Sequence, residues 1–337
     1  ENKTGKYFKY AIGEIILVVI GILIALQVNN WNENRTKQKE INETLSNLEQ
    51  DLVANYKLAN EKLKFYKRAD SIIRLTVNNQ LTVDDYKNPS FSGNVILNWN
   101  LYTPQTDNLD KFIKSEDLVS KQLTPLVIQS KLLKQQETWL NNAWDKFDKT
   151  IDDIYSFYSN QEWFGGQDAL SITQEIDFKL NNPAYRQKVF LYWVVMQNYA
   201  NNITRYRTEN LAVLGKIKQI RNNYNHQEMS AFLDSLGMHQ FKVFDCDISI
   251  NDLSLGRHYR SHELLLNFTE NTVYLKATHN KGSRIEEITL KPFEFRKISG
   301  WPFGIKGDHN ILVEQLDQDG NCIKKFGALH NGYLLIK

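Results

Sequence analysis

The chain lacks the residue patterns that announce chemistry. It holds no Walker loop, no GxSxG elbow, no GxGxxG after a strand and no HExxH. No nucleophile, base or metal cluster stands out, so an enzyme is the class the sequence supports least and no cofactor is expected. It has no excess of one charge either: 41 basic and 39 acidic residues leave +2 over 337 residues, which argues against a nucleic-acid surface. Only two cysteines occur, Cys246 and Cys322. In an oxidising compartment they can pair, whereas two cysteines in apolar strands also serve as unpaired core residues, and both readings stand. Histidine is missing before His226, and nine of the sixteen glycines lie from Gly237 onward. That shift marks a domain boundary near residue 237.

What is present is one long apolar run. Ala11 to Val28 reads AIGEIILVVIGILIALQV, with no polar stripe between Ile15 and Leu26. Eighteen residues at 1.5 Å give about 27 Å, and continuing to Trp31 gives about 32 Å, against a hydrocarbon core of roughly 30 Å. The expectation is a transmembrane helix over 11–31. Lys3, Lys6 and Lys9 precede it and only Glu33 lies just beyond it, so the positive-inside bias puts segment 1–10 in the cytoplasm. A secretory signal peptide is the competing reading; the run is long for one, and Ala25-Leu26-Gln27 is a poor cleavage site. Tyr10 on one side and Asn29, Asn30 and Trp31 on the other are the expected membrane-interface residues. No second stretch qualifies as a span: Val189 to Ala200 is short and flanked by Arg186 and Lys188, and reads as a buried bundle helix.

Within the span, Glu14, Val18, Gly21, Ala25, Val28 and Asn32 share one narrow stripe at 100° per residue. Gly21 and Ala25 permit close helix approach, and Glu14 and Gln27 add polar groups that can bond across it. These four are the candidate intramembrane assembly residues. The alternative for Glu14 is that it lies one turn inside the membrane and reaches the headgroups.

Region 32–236 reads as a mostly helical periplasmic domain, a bundle or coiled coil. Ile41, Leu45, Leu48, Leu52, Tyr56, Ala59, Leu63 and Tyr66 step by three and four. A loop with a short strand is expected over 78–100, a short helix over 106–120, and a longer helix opened by Thr124-Pro125 and running to Tyr158. A final helix is expected from Asn182-Pro183 to about Asn223, then a last turn capped by Gly237. The tryptophans from Trp99 to Trp301 are expected to serve the core.

Region 237–337 alternates in short apolar runs and reads as an antiparallel, sandwich-like β-module. Strands are expected at 263–269, 272–277, 285–290, 293–298, 311–316 and 322–326, with turns at Asn280-Lys281-Gly282 and Asp319-Gly320-Asn321. The fold class is thus α+β on a single N-terminal membrane helix. His258 and His262 are four apart but lack a third ligand, and Asp317 to Asn321 lacks the spacing of a calcium loop, so no metal site is expected.

The stretch from Tyr10 to Glu33, YAIGEIILVVIGILIALQVNNWNE, resembles the signature of an uncharacterised Bacteroidota family of single-span membrane proteins. The resemblance implies a Gram-negative inner membrane and a periplasmic body, and no activity. The favoured expectation is a structural or interaction protein that contacts the bilayer, assembles with copies of itself, and binds a membrane or envelope protein. The alternatives are an ion- or proton-linked transport assembly using Glu14, and a sensor of a small ligand or glycan.

Overall fold

The computed structural model describes residues 3–88, 91, 98–222, 226–252, 262–279, 284–292, 294–299, 311–328 and 332–337, with side chains in the first helix from Ile16 onward. The expected turn at 280–282, His258, Trp301, and the side chains of Tyr10, Glu14 and His262 lie outside the described residues.

One helix, α1 (Lys3–Val77), carries both the apolar run and the first bundle helix without a break. Its 75 residues span about 112 Å. No proline or turn interrupts it, so no break parts the two segments. From Ile16 to Glu40 every residue is exposed; burial begins at Ile41 and continues through Leu45, Leu48, Leu52, Tyr56, Ala59 and Tyr66, the face its spacing predicts.

Two further long helices complete the bundle. In α4 (Thr124–Ser159), Pro125 sits where its missing N–H costs nothing. In α6 (Pro183–Asn222), the Asn182 side chain accepts from the amides of Ala184 (2.8 Å) and Tyr185 (3.2 Å), and Pro183 opens the first turn. The ion pair Lys218–Glu49 lies at one end of α6 and the Trp193–Asp70 hydrogen bond toward the other, so α6 runs antiparallel to α1. It is likewise antiparallel to α4, with Gln129 bonded to Glu209 and Lys188 to Asp153.

Shorter elements close the ends. The expected loop over 78–100 contains α2 (Val83–Lys87), opened by a capping box between Thr82 and Asp85; its described residues hold no strand. Expected helix 106–120 resolves into α3 (Asp107–Lys114) and two 3-10 turns reaching Leu123. A helix absent from the sequence reading, α5 (Ala169–Asn181), is capped by Asp168. Finally α7 (His226–Ser235) ends as expected at Gly237, whose φ is +76°: the Gly237 amide bonds to Asp234 O and the Met238 amide to Leu233 O, the paired bonds of a Schellman cap.

Beyond Gly237 the described residues form nine strands in two sheets. One has five strands and is antiparallel throughout, in the order β2 (Lys242–Phe244), β8 (Cys322–Gly327), β7 (Ile311–Leu316), β4 (Val273–His279), β5 (Arg284–Leu290). The other runs β1 (His239–Gln240), β9 (Gly332–Ile336), β3 (His262–Asn267), β6 (Phe295–Ser299). This second sheet departs from the antiparallel expectation, because the last strand inserts parallel to both β1 and β3.

The second sheet is covered on both faces. Leu265, Leu334 and Ile336 join the five-stranded sheet in one apolar core, while Leu264, Leu266, Tyr333 and Leu335 join the core of the helices. The alternation of side chains along a strand sends neighbours to opposite cores. Helices and strands therefore share a buried interface instead of meeting at a linker. Cys246, in the turn after β2, and Cys322, opening β8, form a disulfide with Cα atoms 6.0 Å apart. The Asp319–Asn321 turn joins β7 to β8 as a hairpin: the Asp317 carboxylate accepts from the amides of Asp319 and Asn321, and Gly320 takes φ +85°. The tryptophans do not all serve the core: Trp163 is buried, whereas Trp99 and Trp139 are over 40% exposed, Trp99 in the segment before α3 and Trp139 on the outer face of α4.

Candidate functional site

Among the described residues, α1 holds the one stretch long and apolar enough to cross a membrane. Leu17, Ile20, Leu23, Ile24 and Leu26 are each at least half exposed, and none of the described residues buries them. In an aqueous surface such a contiguous patch is unfavourable by about 25 cal/mol per Å2. A side chain built at Gly21 would meet nothing within 4 Å, which leaves that face open to an approaching helix. Ala25 and Gln27 are also exposed.

The stem above this run is polar and held by contacts along its own axis. Asn29 donates to the Glu33 carboxylate at 2.8 Å, Arg35 lies over the Trp31 ring at 5.7 Å, and Lys39 pairs with Glu43 at 3.9 Å. Asn30 and Trp31 are exposed. All of these residues sit on one helix, and among the described residues none of them is brought together with another element.

The polar network that does unite distant parts of the chain was not predicted. The Asp70 carboxylate, 1% exposed, accepts from Arg74 Nε (2.8 Å), Trp193 Nε1 (2.7 Å) and Gln197 Nε2 (3.2 Å). Arg74 lies over the Trp193 ring at 5.0 Å. A carboxylate with three donors is stable out of water, where an unpaired one is not.

A second network holds an extended segment, Asn98 to Gln105, against the bundle. The Asn55 amide makes two bonds to the Gln105 backbone, each 2.8 Å. Tyr66 donates to Asn100 O at 2.8 Å, Tyr192 to Asn98 O at 2.9 Å, and Tyr199 accepts from the Tyr102 amide at 2.9 Å. Irregular backbone inside a bundle would otherwise leave polar groups unpaired. Burial raises the pKa of these phenols, that of Tyr199 to about 12, because the tyrosinate charge loses its water.

Two further features sit in the helical body. In α6, Arg207, Glu209 and Asn210 form a buried polar layer, with Asn210 donating to Leu52 O at 2.7 Å. Lys179 of α5, 5% exposed, pairs with Glu175; burial pulls its pKa down and the carboxylate opposes this. These groups fasten helices, and among the described residues no three His, Cys, Asp or Glu side chains gather as metal ligands.

No curated protein and no solved structure matches the chain. Residues 14–164, from near the start of the apolar run to just beyond α4, are similar to the model of a family of unknown function, DUF6090, and the match stops before α5, α6 and the strands.

Proposed function

We propose that the chain is a membrane-anchored structural or interaction protein: N-terminus in the cytoplasm, body in the periplasm of a Gram-negative envelope, and self-assembly through the exposed span and stem. The observation that carries this reading is the continuity of α1, in which an uncovered apolar stretch passes without a turn into a helix that builds the core. The two sheets form a sandwich-like module on that body, available to a partner.

The test is flotation of membranes from cells expressing the full chain, followed by a high-salt wash at neutral pH. Protein that stays with the lipid and is cut by protease only after the outer membrane is opened fits the reading. Release by salt removes the anchor, protection in intact spheroplasts reverses the orientation, and recovery of monomer alone after crosslinking removes self-assembly.

A further inference from the structure

The body is folded so that its last-synthesised part returns toward its first. Because α6 is antiparallel to α1, its C-terminal end lies beside the start of burial on α1, as the Lys218–Glu49 pair records. The next helix doubles back at that level, with Lys218 over the Phe232 ring at 5.0 Å. The four-stranded sheet is fixed to that helix, Tyr333 of β9 bonding to Asp234 at 2.7 Å and lying 2.8 Å from the Ser230 hydroxyl. Glu294, just before β6, acts electrostatically on Lys216. The Lys218–Glu49 pair sets this end of α6 at the level of α1 residue 49.

Taking Trp31 as the interfacial residue, which rests on the anchoring proposed above, that level stands only about 27 Å above the membrane interface at 1.5 Å per residue. A hundred-residue module has a radius of gyration of about 13 Å, and a sphere of that value reaches roughly 17 Å from its centre. A module centred at that level extends to within roughly 10 Å of the interface, about the Debye length of 8–10 Å. The turn between α3 and α4 belongs to the same end. Since Asn55 meets Gln105 and Asp51 meets Asn108, α3 runs back toward the membrane and delivers the exposed Leu118 between Lys114 and Lys121. The far end of the body, by contrast, holds Leu75, 44 residues beyond Trp31 and about 66 Å from it.

We infer that the C-terminal β-module works at the surface of the membrane that anchors the chain, and that the lipid headgroup layer is its partner. The geometry separates two roles that a stalked protein can play: the module does not ride at the tip of the stalk to reach a distant structure.

The full chain is reconstituted into vesicles of phosphatidylethanolamine and phosphatidylglycerol containing a headgroup-labelled acceptor lipid. A donor dye is placed on a single added thiol at Gln240→Cys in β1 or at Leu75→Cys; both sites are exposed, and the native cysteines are bonded to each other. The expected result is energy transfer several-fold more efficient from position 240 than from position 75, together with photo-crosslinking of a headgroup-reactive lipid to peptides of the module and not to those of α2 or α5. Equal transfer, or stronger transfer from position 75, overturns the fold-back. Stronger transfer from position 240 without lipid crosslinks overturns the headgroup partner and points to a membrane protein. A chain that fails to float with the vesicles removes the anchor, and this inference with it.

Discussion

Asp70 on α1 and Trp193 on α6, 123 residues apart, meet through a 2.7 Å hydrogen bond from indole Nε1 to a carboxylate that is 1% exposed. The pair ties the end of the stalk farthest from the apolar run to the helix that turns back. Replacing Asp70 with Ala leaves the Trp193 N–H and the Arg74 guanidinium without their acceptor. A loss of about 2–4 kcal/mol is expected, read from urea unfolding of the full chain in neutral detergent. Asp70→Asn, which retains an acceptor, is expected to lose less. Equal losses would mean that the charge, and not the hydrogen bonding, supports the site.

The extended segment gives a second test. Asn55→Ala strands both the N–H and the C=O of Gln105 in a part-buried setting, a cost of about 2–3 kcal/mol. Amide exchange should rise first in the 98–106 segment. Uniform acceleration along all helices would contradict a local role.

The buried tyrosines make the fold sensitive to alkali. Their folded pKa values stand above the unfolded value of about 10, so above pH 10 the unfolded chain holds fewer protons than the folded one, and stability falls with pH. The contribution is complete below pH 10 and is lost through the folded pKa. Each phenol supplies about 1.4 kcal/mol per pH unit in that window, so Tyr199, raised to about 12, accounts for nearly 3 kcal/mol. Tyrosinate absorbance and helical circular dichroism should change together above pH 10. Gradual ionisation with intact helices would show that the phenols are reached by solvent.

Reduction of the disulfide should act on the strands alone. Cys246 and Cys322 are 76 residues apart, and closing a loop of that size stabilises the folded chain by roughly 4 kcal/mol in the chain-entropy model. A reducing agent, or Cys322→Ser, is expected to lower the melting temperature of the β-module while the helical signal melts as before. A single coincident transition shifted as a whole would instead mean that the shared core couples both parts.

Self-assembly through the span predicts that Gly21→Leu, at a position open on all sides within this chain, lowers crosslinking between copies without affecting flotation. Glu14→Gln separates the transport alternative: altered proton-linked activity in reconstituted vesicles favours it, and unchanged activity removes it.

Much of this architecture was legible in the residues. Thr124-Pro125 and Asn182-Pro183 announce α4 and α6 because capping and the fixed φ of proline act locally. The step pattern from Ile41 to Tyr66 identifies the packed face because only one side of α1 is covered. Strand β9 escaped for the converse reason: all five of its residues are buried, so no alternation marks it. Helix α5 buries only Ile176 and Lys179, too little for a periodic signal. The networks at Asp70 and Asn55 were illegible because, apart from Arg74, the partners of these two side chains lie 50 to 127 residues away and no local spacing encodes them. Nor could composition reveal that β1 and β3 would flank the C-terminal strand in parallel.

The unbroken course of α1 also sets a phase. A helix turns 100° per residue, so the bearing of the body around the axis of the span is locked to the count of residues between Trp31 and Ile41. One residue inserted in the stem would swing the whole body by 100° and lift it by about 1.5 Å, and seven would return it to within about 20° of its first bearing. The stem behaves as a shaft keyed at both ends, and any twist imposed on the apolar segment arrives at the strands as a rotation of the surface they present.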